Sequence, residues 1–313
     1  MQKYVILVDN NSDLSEKFAK EFDIEVVFGH YTTPDGKEHK ALLEWDAETR
    51  DQFYKELKKN PNGYTTCPPN VEEFYKAFEK HVSKGVGILA LSISTAISGA
   101  YSFMTGAKAK ILEKYPDAKI ELVDTLRFGP SIGLMASYAA NLRKEGKSLE
   151  EVYKWLEDNK ARFHQTGWMD DLSFVAKKGR INHAAAFFGT LIGIKPLGEF
   201  DANGLTTVIG KCKGEKEAYE VQLRYIESHI ENPHEQMIFI ATTNRHAQAE
   251  VYKKMIEERI QPKSVFITDV YTNCGINIGP GLMAAYYYGK PISEGLEEEK
   301  KSLASIIEEV RKA

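Results

Sequence analysis

Short apolar runs alternate with amphipathic segments through the first half of the chain. Residues 4–8 (YVILV) form an apolar, β-branched run of the buried-strand type. The run ends in Asp9-Asn10-Asn11-Ser12-Asp13, after which Leu14, Phe18 and Phe22 fall at helical spacing. Residues 24–28, 86–93 and 120–123 predict further strands. Between them, residues 52–58 predict a short helix. Asn70-Val71-Glu72-Glu73 is a capping-box start to a helix carrying Phe74, Tyr75 and Phe78. Ser98 is placed to cap a helix running to Lys114, residues 129–143 read as helix, and Ser148 caps the next one. Pro34-Asp35-Gly36 and Trp45 fall in a longer connection, and Asn60-Pro61-Asn62-Gly63 is a turn signal.

Repeated strand–helix alternation implies a parallel sheet with right-handed crossovers. All strand C-termini then lie on one edge, where ligands bind in such sheets. Three polar clusters fall there: residues 9–12, Ser94-Thr95 and Asp124-Thr125. Neighbouring helix N-termini make that edge hospitable to an anion. The second half changes character. Residues 181–192 read as a helix that is apolar around most of its circumference, so it faces a core or a cavity. Residues 195–200 and 205–212 flank Asp201-Ala202-Asn203-Gly204, a hairpin signature. Helix 214–230, strand 237–242, helix 245–260 and strand 264–270 follow, then a Gly-rich turn and strand 282–288. The pattern predicts an α/β fold: a parallel-sheet, Rossmann-like N-terminal domain (1–162), a second α/β domain with a mixed or antiparallel sheet (163–291), and a C-terminal amphipathic helix (292–313). In that tail Leu303, Ile306, Ile307 and Val310 share one face.

Composition narrows the chemistry. Of 313 residues 27% are charged, and the formal net charge is -4, which disfavours a general nucleic-acid binder. The three cysteines, Cys67, Cys212 and Cys274, are too far apart for CxxC-type zinc sites and odd in number for a disulfide framework. No signal-peptide pattern and no membrane-span window is visible, so the expectation is a cytoplasmic protein without stable membrane insertion. The glycine and histidine patterns of dinucleotide enzymes, P-loop NTPases, α/β-hydrolases and zincins do not occur. The eight histidines are scattered without metal spacing, so neither metal nor cofactor is expected. His183 alone lies near the expected interior.

Five segments in order carry a family resemblance. Residues 8–14 (VDNNSDL) resemble V-T-D-S-T-A-D-L, and residues 65–68 (TTCP) resemble T-S-Q-P. Residues 93–101 (ISTAISGAY) resemble I-S-S-x-L-S-G-T-Y. Residues 170–181, with Lys177, Gly179 and Arg180, resemble D-T-L-x-x-L-K-K-G-G-R-I, and Gly279-Pro280-Gly281 sits where H-x-G-P-G is expected. These segments are similar to those of the DegV family, bacterial fatty-acid-binding proteins that act with a fatty acid kinase. The resemblance spans residues 4 to about 290 and implies a carrier rather than an enzyme. A long-chain fatty acid would lie between two domains, its carboxylate held by hydroxyls and presented to the kinase for acyl-phosphate formation. By position, Thr65 and Ser94, with Thr95, Asn277 and Gly279, would meet the headgroup. His183 and Phe187, on the alanine-rich helix, would line the chain, and Arg180 with Lys177 would face the kinase. The sequence departs from the family pattern at Asn277 (His in the family), Asn10-Asn11 (Ser-Thr), Cys67 (Gln) and Lys178 (Gly). The alternative is an enzyme acting on a small phosphorylated or carboxylated substrate at the same sheet edge, using Asp9, Asn10, Ser94 and Asp124. It predicts a short, wet pocket.

Overall fold

A computed structural model describes residues 3–181 and 193–312. The first half runs β1 (Tyr4–Asp9), a 3-10 turn (Asn10–Ser12), α1 (Glu16–Glu21), β2 (Ile24–Val27), β3 (His30–Thr32), β4 (Glu38–Lys40), α2 (Ala47–Lys59), β5 (Thr65–Cys67), α3 (Val71–Val82), β6 (Gly87–Ser92), α4 (Ala100–Lys114), β7 (Ile120–Asp124), α5 (Pro130–Lys144) and α6 (Leu149–Asn159). β1, β2, β6 and β7 form the expected parallel sheet, in the order β2-β1-β6-β7. The GILALS strand β6 is buried along its whole length, as a strand covered on both faces requires.

The second half runs β8 (Phe163–Trp168), α7 (Ser173–Lys177), β9 (Ile194–Phe200), β10 (Thr206–Lys213), α8 (Gly214–His229), β11 (Met237–Thr242), α9 (His246–Arg259), β12 (Ser264–Asp269), α10 (Thr272–Ile278), β13 (Met283–Tyr288) and α11 (Glu297–Lys312). Six strands form one mixed sheet, β10-β9-β8-β13-β11-β12, antiparallel except for β11 against β12. The strand period of two sorts its side chains. Gln165, Gly167, Gly198, Phe200, Ala284 and Tyr286 face the first half. Trp168, Leu197, Met283, Ala285 and Tyr287 enter a second core with α8, α9 and the apolar side of α11.

The two sheets share a core. α5 lies against strands of both, and ten of its fifteen residues are buried because PSIGLMASYAA is small or apolar on every side. Polar ties reinforce the junction. The Arg127 guanidinium is buried and donates to the carbonyls of Phe163 (2.7 Å) and Asp201 (3.2 Å). Burial pushes its pKa down to about 10, against the opposing pull of Glu199 and Asp201. Asp13 accepts from the Tyr271 N–H at 3.0 Å, and Tyr54 donates its hydroxyl to the Val270 carbonyl at 2.5 Å. Among the described residues no helix is long and apolar enough to cross a membrane.

Several elements differ from the sequence reading. The expected helix through Leu14 and Phe22 is only α1. The connection around Pro34 is a hairpin, β3–β4, that pairs with β5 in a small antiparallel sheet. α2 starts earlier than expected because Asp46 caps it, accepting from the Thr49 N–H at 2.7 Å. The N-cap of α4 is Gly99, which has no side-chain bond, and Ser98 one residue earlier accepts from the Ala100 N–H at 3.3 Å, so the expected hydroxyl does meet the first helical N–H. β8, which the apolar pattern does not single out, is a fully buried strand. The stretch after β12, read as loop, contains α10. The expected helix over 181–192 lies almost wholly outside the described residues.

Candidate functional site

The junction between the two sheets encloses a cavity of about 170 Å³. Its walls are mainly apolar: Ile93 and Ile97 after β6, Phe128 before α5, and Leu172 and Val175 beside and within α7. Its floor is the first-half face of the mixed sheet. There Gly198, Gly167 and Ala284 stand side by side across β9, β8 and β13. A Cβ on Gly167 would lie 2.5 Å from both the Ala284 Cβ and the Met283 carbonyl oxygen, so that position stays bare. Three minimal side chains in a row form a shallow trench bordered by Phe200, Tyr286 and Val208.

Polar groups gather where β5 and α10 meet the cavity. Asn277 donates through Nδ2 to the Asn273 carbonyl at 2.8 Å and to Thr66 Oγ1 at 3.1 Å. Both amide protons are thereby committed. The Thr66 hydroxyl already accepts one bond and keeps its own proton, which no acceptor among the described residues takes. Asn273, 3% exposed, donates to the carbonyls of His30 and Cys67, leaving its Oδ1 buried without a partner. Ser98 and Arg180 add a hydroxyl and a guanidinium to the lining. α10 ends at Gly279, whose φ of 78° needs glycine and whose missing side chain admits the Phe174 ring.

The nearby acids serve the scaffold. Asp9 is buried and accepts from Asn11 N, Asn11 Nδ2, Ser92 Oγ and Ile93 N. Burial raises its pKa, with those four bonds pulling the other way. Asp13 is pushed well above the carboxylate range, first by burial, then by the charges of Asp269 and Asp9, against its bond from the Tyr271 N–H and the nearby Cys274 thiol. Burial, with Asp13 and Asp9 beside it, likewise raises the Cys274 thiol.

The residues singled out from sequence are only partly brought together. Asn277 and Arg180 line the cavity, and Gly279 adjoins it. Thr65 is exposed on β5, and its neighbour Thr66 faces inward: in a strand, one residue changes the face. Ser94 is fully buried and donates to the Gly204 carbonyl at 2.9 Å, fastening the β9–β10 turn rather than lining the cavity. Thr95 is exposed and donates to Asp124 Oδ2 at 2.6 Å. Lys177 faces a separate surface cleft with Lys58, Lys178 and Arg245. His183 and Phe187 lie outside the described residues. The four residues of the enzyme alternative do not converge on a wet pocket: Asn10 accepts from the Gly29 N–H at 2.8 Å, and Asp9, Ser94 and Asp124 are engaged as above. Sequence reasoning missed Thr66, Asn273, Gln165 and the glycine trench. Among the described residues no cluster of His, Cys, Asp and Glu is placed to hold a metal.

Fold and site together define an α/β protein with a largely apolar internal cavity between a parallel and a mixed sheet. The DegV family, described as an uncharacterised protein family, matches residues 3–290. A DegV domain-containing protein of Clostridium perfringens is 34% identical over 289 residues, covering 92% of this chain and 98% of the relative. The chain belongs to the DegV family. Two solved structures share the fold: a fatty-acid-binding DegV family protein of Thermus thermophilus (TM-score 0.82, 21% identity, 92% of this chain and 100% of the other) and a stearic acid-binding protein of Eubacterium ventriosum (TM-score 0.80, 20% identity, 92% and 98%).

Proposed function

We propose that this chain binds a long-chain fatty acid in the cavity and presents its carboxylate to a fatty acid kinase for acyl-phosphate formation. The observation that carries the reading is the trench of Gly198, Gly167 and Ala284 beneath apolar walls, leading toward one uncommitted hydroxyl proton on Thr66. A polymethylene chain is the guest that such a surface fits. Each buried methylene contributes about 0.8 kcal/mol before ordering costs. At the polar end Thr66 donates to the carboxylate, and Asn277, standing where the family has histidine, orients that hydroxyl. A carboxylate leaving water needs such donors.

Residues 1–162 and 163–291 then act as two domains closing on the ligand, and 292–313 braces the floor from behind. The chain carries the acid, and the kinase supplies the chemistry: the γ-phosphoryl group of ATP passes to a carboxylate oxygen, giving acyl phosphate and ADP. Arg180 at the cavity wall and Lys177 in the adjoining cleft are the groups we assign to that encounter, in the cytoplasm. Denaturing mass spectrometry of purified protein tests the binding step: a co-purified long-chain acid is expected. No lipid as purified and none taken up on addition would refute it. The kinase step is tested separately by ATP-dependent acyl-phosphate formation from the loaded protein, expected to fall on Arg180→Ala.

A further inference from the structure

The cavity carries polar groups that a plain hydrocarbon leaves unused. Gln165 on β8 and Tyr286 on β13 stand directly opposite each other in the antiparallel ladder, and both line the cavity. They are 6% and 1% exposed. Gln165 Oε1 accepts from the Phe128 N–H at 2.7 Å, which fixes the orientation of the amide. Its Nε2 therefore keeps two protons, and among the described residues no acceptor takes either. Tyr286 Oη has no hydrogen-bond partner among them. Beside it, the space that a Cβ on Gly129 would fill is bordered by Asp13 Oδ2 at 3.3 Å and Tyr286 Oη at 3.7 Å, and Asp13 Oδ2 is itself buried and unpartnered. This polar station belongs to the mixed sheet, whereas Thr66 and Asn277 stand on β5 and α10.

We propose that Gln165 and Tyr286 take an oxygen on the acyl chain, so that the ligand class of this protein is hydroxylated long-chain fatty acids. The inference rests on the fatty-acid reading and deepens it. A hydroxyl on the chain accepts from Gln165 Nε2 and donates to Tyr286 Oη. A methylene at the same place leaves both polar groups unpaired in a dry wall. Sites built to hydrogen-bond a substituent discriminate against the analogue that lacks it.

The test is a set of binding titrations with stearic acid and a hydroxystearic series in which the hydroxyl is moved along the chain. Wild type is expected to bind at least one isomer about tenfold tighter than stearic acid. Tyr286→Phe keeps the ring, and Gln165→Glu keeps the acceptor for Phe128. Each should bring the affinity ratio toward one, whereas Thr66→Val should weaken both acids and leave the ratio standing. The inference falls alone if stearic acid binds and no isomer exceeds it, or if the ratio survives both variants. It also falls alone if these variants weaken both acids equally, which would place the carboxylate itself at Gln165. If wild type binds neither acid, the fatty-acid reading falls and takes the inference with it.

Discussion

The two faces of the mixed sheet come from the same strands and differ most at the row of Gly198, Gly167 and Ala284. On the face toward α8 and α9, Trp168 packs edge-on against Tyr219 and Tyr252, with ring centroids 5.0 and 5.9 Å apart. His164 stacks on Tyr287 at 4.8 Å and bonds Glu199 at 2.9 Å. The Glu199 carboxyl is pushed up by burial but held below its ordinary value on balance by His164 and two backbone N–H groups. On the face toward the parallel sheet, the same strands present Gly198, Gly167 and Ala284. Phe200 and Tyr286 flank that row, where bare backbone leaves room, while on the other face Trp168 and Leu197 beside it fill the space. Stability and ligand capacity are thus separated by the strand period, one residue apart in sequence.

Substitutions can break that division. Trp168→Ala on the packed face should lose about 3–5 kcal/mol of stability in chemical denaturation, with the affinity of the molecules that remain folded unchanged. A large loss of affinity at full occupancy of the native state would mean the faces are not independent. Gly198→Val should do the reverse. Among the described residues a Cβ there meets only Thr206 Cγ2 at 3.4 Å and the Thr207 carbonyl oxygen at 3.5 Å, so the fold tolerates it while the trench is filled. Fatty-acid affinity should drop roughly thirtyfold.

Smaller effects sharpen the polar end. Thr66→Val should weaken binding by about 1–2 kcal/mol, and Thr65→Val should leave it within experimental error. Equal losses would mean that β5 presents both threonines to the ligand. The effect of Asp13→Asn depends on pH. Burial raises the Asp13 pKa in the folded state, with Asp9 and Asp269 adding like charge. The native protein therefore keeps a proton that the unfolded chain releases near the ordinary carboxylate value. This group's contribution to stability is greatest below that value and declines as pH rises above it. Relative to wild type, Asp13→Asn should gain stability as pH is raised from mildly acidic to mildly alkaline buffer in thermal melts. A constant difference would show that Asp13 is ionised in the native state.

Much of this architecture was legible in the sequence. Buried strands such as β1 and β6 announce themselves by continuous apolar runs. The capping box of α3 is present as read, with Asn70 Oδ1 accepting from Glu73 N at 3.0 Å and Glu73 Oε2 accepting from Asn70 N at 2.7 Å. The site was less legible because long-range contacts decide it. Two adjacent threonines give no sign of which one faces inward; pairing of β5 with β3 settles that. Ser94 looked like a ligand hydroxyl until the hairpin turn at Gly204, with φ of 80°, came close enough to take its bond. α10 contains Asn273, Gly275 and Asn277, poor helix formers. It is stabilised instead by tertiary packing, with Gly275 admitting the Tyr54 hydroxyl and the Phe53 ring.

The most direct test is a crystal structure of the protein with stearic acid bound. The account predicts a carboxylate oxygen within hydrogen-bond distance of Thr66 Oγ1 and the chain lying over Gly198, Gly167 and Ala284. A carboxylate at Gln165 with the chain running the other way, or an acid held anywhere outside this cavity, would contradict it.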